Sequence, residues 1–555
     1  MRLCECCITV RSFNICRVRL GLLLSLFLCF SFPGLAADLR VGVAALPRSA
    51  DPHFGASRVE QFLHSQIYEG LVDTDAQGRP VPRLAERWER IDDGAWLFRL
   101  RHNVRFQNGQ PFTARDVIFS FCRTGMIQGS AHPFAHRLAA AETVEMVNNF
   151  TLLIRMRDRD MLFPREIASI PIVAAPAGVA DDWHYDSGTC QPPLDPDDKA
   201  TSLDFGDPGL GAGTGPFRLR SYQTDEIVAV RNPDYWGELA PWEHYRLIRL
   251  APEEQVAAAL EGKVDVLDNP PLNAMEFLKG KDDLRLVSFP STALSYLQFN
   301  RRKEGGDKAN HLPFQDVRVR QAINLAIPRN VLAQRVLAGV GSPAGQMPLQ
   351  GSPSHAPDLA IPDHDPVQAR RLLAEAGYPA GFQAVLVTGV AQRRVADVIA
   401  HFLANIGIRI TVQEETQDRL IPRLIAGDFD LYCVGWIFDP SDIPGSYQAL
   451  LGSGSLDGRR GLNNYGFYEN KELDRLLARI RWEPAAAMRD QLTRRASRLM
   501  HDDVAWIPLA HTTSRWVLRA GLSMEGRLDR SLRANRVRPD ETQADAAKPS
   551  SPTQP

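Results

Sequence analysis

The chain of 555 residues carries almost no excess charge of either sign, with 64 Lys and Arg against 66 Asp and Glu. The basic residues are scattered along it, so the positive footprint that nucleic-acid binding needs is missing. Long apolar runs are missing beyond residue 37, and no later stretch suits a membrane-spanning helix. Catalytic signatures are missing as well. There is no Gly-x-Ser-x-Gly elbow, no His-Glu-x-x-His pair, and no Gly-Lys-Ser ending on the loop Gly452-Ser453-Gly454-Ser455. An enzyme has no motif to rest on, and no metal or cofactor site is expected. Composition close to the globular average and this length allow two or three domains with ample core.

Cysteine is scarce once the amino terminus is set aside. Five of the eight (Cys4, Cys6, Cys7, Cys16 and Cys29) fall within residues 1–37. That segment places Arg2, Arg11, Arg17 and Arg19 before the apolar run Leu20 to Phe32 and the small residues Gly34-Leu35-Ala36-Ala37. It reads as a secretory signal peptide, too short for a membrane span. Its removal takes four Arg and one Glu and moves the formal charge from −2 to −5. Leu28 stands before Cys29 where a lipoprotein signal needs a small residue, so a free exported protein is expected. The remaining Cys122, Cys190 and Cys433 allow one disulfide and one thiol in an oxidising compartment. Cys433 lies in an apolar strand as a small hydrophobe, which leaves Cys122 with Cys190 as the expected pair.

The stretch Asp428 to Pro440 concentrates most of the signal. Phe429 to Val434 is long enough for a strand and too short for a helix, and the following Gly435-Trp436-Ile437-Phe438-Asp439-Pro440 reads as a break and turn. Asp439 is then expected just past a strand's carboxyl end, where open α/β sheets place ligands, with Trp436 as a wall. The alternative reading makes Asp439-Pro440 a turn initiator and Trp436 a core residue.

In chain order, Glu60 to Leu71 reads as a helix, Val81 to Trp88 as a polar connector, and Trp96, Phe98 and Leu100 as an alternating strand. Thr113 through Asp116 resembles a capping box opening a helix. Asp365 with Pro366 opens a helix that closes at Gly377, and a second helix carries Val395, Ile399, Leu403 and Ile406 to Gly407. The strand Ile408 to Val412 follows, giving a helix and strand alternation that argues for helical crossovers on a sheet.

Several segments together resemble one family: Leu84 to Glu89 with Asp93 to Val117, Tyr68-Glu69-Gly70-Leu71, Gly213-Thr214-Gly215-Pro216-Phe217, Arg231 to Gly237, Gly262 to Val266, and Asp316 to Arg329. In this order they are similar to the large substrate-binding proteins of ABC importers for peptides, the family of the dipeptide- and oligopeptide-binding proteins, over about Asp38 to Leu509. The resemblance implies an α/β, two-lobe periplasmic binding protein of type II, the large peptide-binding class, with mixed sheets and a hinge. Residues 38–292, including an extra subdomain, would form lobe 1. Residues 296–505 would form lobe 2, residues 506–528 the return to lobe 1, and residues 529–555 a disordered tail. The crossings would be Tyr296 to Asn300 and Trp506 to Leu509.

The resemblance also implies a peptide as ligand, a membrane ABC permease as partner, and a monomer. Asp439 would hold the ligand's ammonium, because a carboxylate accepts from its donors and a closed cleft strengthens the pair. Gly435, Trp436, Ile437 and Asn464 would sit at that pocket, and Ala56-Ser57-Arg58 would pair with the ligand backbone as an added strand. Arg58 is otherwise expected as a solvated surface residue. One departure concerns the arginine with which dipeptide binders grip the ligand carboxylate, because Leu386 occupies that place here. Arg393 and Arg394 are the candidate substitutes. Three competitors remain: a receptor of this fold for a nickel chelate, opine or oligosaccharide, an envelope chaperone or sensor subunit, and an enzyme.

Overall fold

The structure is a computed structural model that describes residues 38–540, apart from Ala56, Asp93, 128–133, 177–183, 192–204, 206–211, 303–312, 338–340, Ser441 and 456–459. The signal-peptide reading and the tail beyond Asp540 lie outside the described residues. So does Ala56.

Among the described residues one mixed sheet of eleven strands runs the length of the molecule. At one end, Asp38–Val43 lies parallel to both His244–Arg249 and Val266–Asp268, and the hairpin Phe217–Tyr222 with Glu226–Arg231 extends the edge. At the other end Leu431–Ile437 and Gln383–Gly389 are parallel, followed by Arg409–Glu415. Two long antiparallel strands, Leu284–Phe299 and Ile507–Arg519, connect the ends. They are the two crossings between the lobes. Their register shifts between Pro290 and Ala293, a bulge that lets the ribbon bend, and the expected segment from Tyr296 continues on the same strand.

A second sheet of six strands, ordered Ala85–Asp92, Ala95–Leu100, Thr151–Met156, Ala141–Asn148, His184–Asp186 and Thr189–Gln191, forms the extra subdomain. The stretch expected as a polar connector is therefore half strand: its exposed face is charged, while Ala85 and Trp88 pack inward. Thr113 and Asp116 complete the capping box of helix Ala114–Thr124. That helix carries Cys122, which is bonded to Cys190 with the Cα atoms 5.7 Å apart, and the edge strand is thereby tied to the subdomain's core. Cys433 is a buried thiol.

Three of the quoted motifs converge on one buried carboxylate. Glu69 accepts from Thr214 Oγ1 (2.8 Å), Tyr235 OH (2.9 Å) and Trp236 Nε1 (2.7 Å), and pairs with Arg83 at 2.5 Å. These groups come from separate segments, so Glu69 ties them with charge-assisted bonds. Gly213 and Gly215 pass so close to the end of helix Arg58–Ile67 that a Cβ would stand 2.0 and 2.7 Å from the Ile67 carbonyl oxygen. That helix ends at Ile67, short of the expected Leu71, because Glu69 turns away to bridge Ile172.

The second lobe's sheet is buried on both faces, which explains the continuous apolar run of its middle strand. Tyr432 joins Tyr296 and Trp506 on one side, while Leu431 and Cys433 join Leu386 and Ile399 on the other. Asp365 accepts from the amides of Val367 and Gln368 and opens helix Pro366–Glu375 as the sequence indicated. The tail departs from expectation. From Asp529 to Asp540 it is packed: Leu532, Ala534 and Val537 are at most 1% exposed, Trp242 donates to the Val537 carbonyl, and Val537–Pro539 pairs with Leu522–Met524. Three apolar side chains among the arginines are enough to seat it in the first lobe's core.

Candidate functional site

The strand expected at Phe429 to Val434 spans Leu431–Ile437. Gly435 does not break it, because Ser295 and Leu294 of the long crossing strand continue the ladder opposite Gly435 and Trp436. The Phe438 amide then donates to the Thr292 carbonyl at the bulge, so Asp439 leaves the sheet where the lobes meet. Asp442 caps helix Ile443–Leu451 through the Gly445 amide at 2.8 Å. Pro440 reaches the first lobe: a Cβ on Gly78 would lie 2.4 Å from its ring.

Around this rim lies a cavity of about 1380 Å³, lined from both lobes. Ser57, Arg58, Gly435, Trp436, Ile437 and Asp439 all line it. Asn464 does not. It is 7% exposed and spends its amide on the Gly452 and Tyr468 carbonyls and the Tyr468 amide, as the staple of a turn, while the neighbouring Asn463 lines the cavity instead. Arg58 is not a solvated residue. It pairs with Asp268 and lies over the Phe62 ring at 4.9 Å, half-buried by that aromatic contact. Leu386 is fully buried in the strand Gln383–Gly389. Neither proposed substitute reaches the cavity: Arg393 pairs with Asp397 at 2.9 Å on its own helix, and Arg394 is exposed. The arginines that do line it on the far side came unannounced from the sequence.

Those arginines form a charged seam between the lobes. Arg165, on the short helix Phe163–Glu166 of the first lobe, is 4% exposed and pairs with Asp439 of the second. Arg481, on helix Lys471–Trp482 of the second lobe, pairs with Asp160 and with Glu166 at 2.5 Å, and its carbonyl accepts from the Met161 amide at 2.9 Å. Arg137 lines the cavity beside them. Burial pushes the Glu166 carboxyl up to about 7, against the pull of Arg481 and with the push of Asp160. Burial likewise raises Asp160 and draws the Arg165 guanidinium down to about 10.

The second lobe's wall differs. Ile425, Ile437, Leu462 and Trp482 line the cavity while 44% to 60% exposed, and Trp436 presents a buried Nε1 with no hydrogen-bond partner among the described residues. Among those residues no cluster of His, Cys, Asp and Glu is placed to hold a metal, and no helix is long and apolar enough to cross a membrane.

Comparison with known proteins places this geometry. The family model described as bacterial extracellular solute-binding proteins, family 5 Middle, matches residues 79–457. Heme-binding protein A of Haemophilus influenzae is 27% identical over 476 residues, covering 80% of this chain and 82% of that one. Probable di/tripeptide-binding protein 5 of Pseudomonas aeruginosa is 27% identical over 508 residues, covering 87% and 91%. The solved structure of the ABC transporter-associated periplasmic binding protein DppA from Helicobacter pylori, in complex with peptide STSA, superposes with a TM-score of 0.73 at 21% identity over 91% of this chain and 98% of that chain.

Proposed function

Because this chain belongs to the bacterial extracellular solute-binding proteins, family 5, we propose that it is the periplasmic receptor that closes on a peptide and hands it to an ABC permease. The observation that supports this reading is the cavity between the lobes, with the crossing ribbon and its bulge beside it. Two lobes joined by a bendable ribbon close on what lies between them. At about 1380 Å³ the cavity exceeds the roughly 300–1,000 Å³ of sites for drug-sized molecules. With Leu386 in place of the dipeptide clamp, the ligand is a peptide longer than two residues. The protein acts as a monomer exported by its leader.

Asp439 is the ammonium site in this reading. In the structure its carboxylate faces the Arg165 guanidinium, a cation standing where the ligand's would stand. Capture exchanges one cation for the other. Asp439→Asn keeps the shape and removes the counter-charge; the Asp439 side chain is 44% exposed in the structure, and once a bound ligand buries it, losing one partner of the pair costs about 3–5 kcal/mol, or roughly two to four decades of affinity. Calorimetry on the ligand retained by envelope-purified protein, with its amino group free or acetylated, tests this. Wild type loses affinity on acetylation and the variant loses much less, since both changes remove one interaction. Equal acetylation penalties in both proteins, or a retained ligand that is no peptide, sink the reading.

A further inference from the structure

Most arginines on the cavity wall already have a carboxylate of this chain: Arg58 has Asp268, Arg83 has Glu69, Arg481 has Asp160 and Glu166, and Arg533 has Asp73. Arg137 has none among the described residues, and Arg165 meets its own, Asp439, with Nη2 alone. Arg165 is 96% buried, and only its Nη2 is matched, by Asp439, while Nε and Nη1 have no hydrogen-bond partner among the described residues. Arg137 sits on the 3-10 turn Ala135–Leu138, close enough that its charge acts on Arg165. Its side chain makes no hydrogen bond or ion pair among the described residues, and its Nε is buried. A buried donor left unmatched costs about 1–3 kcal/mol, more for a charged group. Two guanidiniums on one cavity wall with spare N–H groups therefore need acceptors that the described residues do not supply. Glu166 and Asp442 act on Arg137 through space, without touching it.

We infer that Arg137 and Arg165 form the cavity's subsite for a carboxylate of the ligand, a role the buried Leu386 cannot fill. The inference rests on the peptide-receptor reading. A guanidinium matches a carboxylate with paired N–H groups in one plane. When the ligand's ammonium takes Asp439, the Nη2 of Arg165 is released as well, so the ligand inserts between the members of the existing pair. The carboxylate then lies near the ligand's amino end, and it is either the carboxyl terminus of a short peptide or an acidic side chain on one of its first residues.

The test uses the mature chain, stripped of retained ligand by unfolding and refolding with its disulfide intact. It is offered three libraries of short peptides: free carboxyl termini, amidated termini, and amidated termini with Asp or Glu in the first two positions. Capture is read by native mass spectrometry for wild type and for Arg137→Gln, whose fold is checked by its melting temperature. A charge-assisted bond of about 1.5–3 kcal/mol predicts a roughly ten- to hundredfold preference of wild type for carboxylate-bearing peptides. A terminal source shows as loss on amidation, and a side-chain source as rescue in the third library. Arg137→Gln loses most of that preference. A merely structural Arg137 weakens all three libraries equally, which overturns the inference, as does a wild type indifferent to carboxylates. If wild type captures from no library, the peptide reading fails on its own, and the variant is judged on the copurified ligand. Wild-type occupancy there overturns the subsite, and loss supports it.

Discussion

The two walls of the cavity are built on opposite plans. The first lobe offers charge, with Arg137 on a 3-10 turn, Arg165 and Glu166 on a short helix, and Asp160 in the chain just before that helix. The second offers exposed apolar side chains at Ile425, Ile437, Leu462 and Trp482, interrupted by Asp439 and Arg481. Asp160, Arg165 and Glu166 reach across and meet partners in the opposite lobe, so they report whether the cleft is shut. The apolar side chains keep about half of their surface uncovered, open to a ligand. One wall thus governs closure and ligand charge, and the other governs which side chains are welcome.

Removing the single guanidinium that serves both Asp160 and Glu166 breaks this division most strongly. Arg481→Met leaves two buried carboxylates facing each other with their shared cation gone, and losing one partner of a buried pair costs about 3–5 kcal/mol. Opening the lobes returns both carboxylates to water, so the cost falls on the closed form. Small-angle scattering is expected to show an expanded ligand-free variant and weaker peptide capture at an unchanged melting temperature of the separate lobes. An equally compact variant would show that the seam does not hold the cleft.

A gentler perturbation is a proton. In the closed form Glu166 is raised from 4.5 to about 7 by burial, and it faces Arg481 and Asp160, with Arg137, Arg165 and Asp442 nearby. Opening that returned it to water would restore its ordinary value. The closed form therefore holds the proton more tightly. Its advantage is full below about 4.5 and is lost as pH rises through about 7. Ligand-free protein is expected to be more open at pH 8 than at pH 5, and Glu166→Gln is expected to flatten that dependence. A pH response unchanged by Glu166→Gln places the titrating group elsewhere.

The contrast between the walls also separates what the sequence discloses from what it hides. Asp439 was legible because a short apolar run, a glycine and an Asp-Pro turn place it at a strand end by local rules. Asp365 and Thr113 were legible as caps for the same reason. Arg137, Asp160, Arg165 and Glu166 sit on or beside elements of four residues, too short to show periodicity; Asp160 and Glu166 take their meaning from Arg481, more than three hundred residues away, and Arg165 takes its own from Asp439. No local pattern carries such a pairing. For Asn464 the sequence could not separate a turn staple from a ligand contact, because both use the same amide; in the structure that amide staples a turn. In the tail, Leu532, Ala534 and Val537 were too sparse to outweigh the arginines around them, and only their burial against the first lobe's core discloses the fold there.

The smallest effect belongs to the apolar wall and refines the comparison instead of breaking it. Ile425 is 60% exposed near the end of helix Gln417–Ala426 and contributes little to the core, so Ile425→Ser should leave the melting temperature almost unchanged. Fully burying an Ile side chain is worth about 1.5–3 kcal/mol. A ligand side chain that covers only part of Ile425 gains a fraction of that, so the expected loss is about tenfold or less for a peptide with a Leu or Phe side chain at the contact. A matched peptide with Ser there should bind both proteins alike. Because the first wall is untouched, the amidation and acetylation penalties of the wild type should persist in the variant. An Ile425→Ser protein that discriminates Leu from Ser as sharply as wild type would place the ligand's side chains against another part of the cavity.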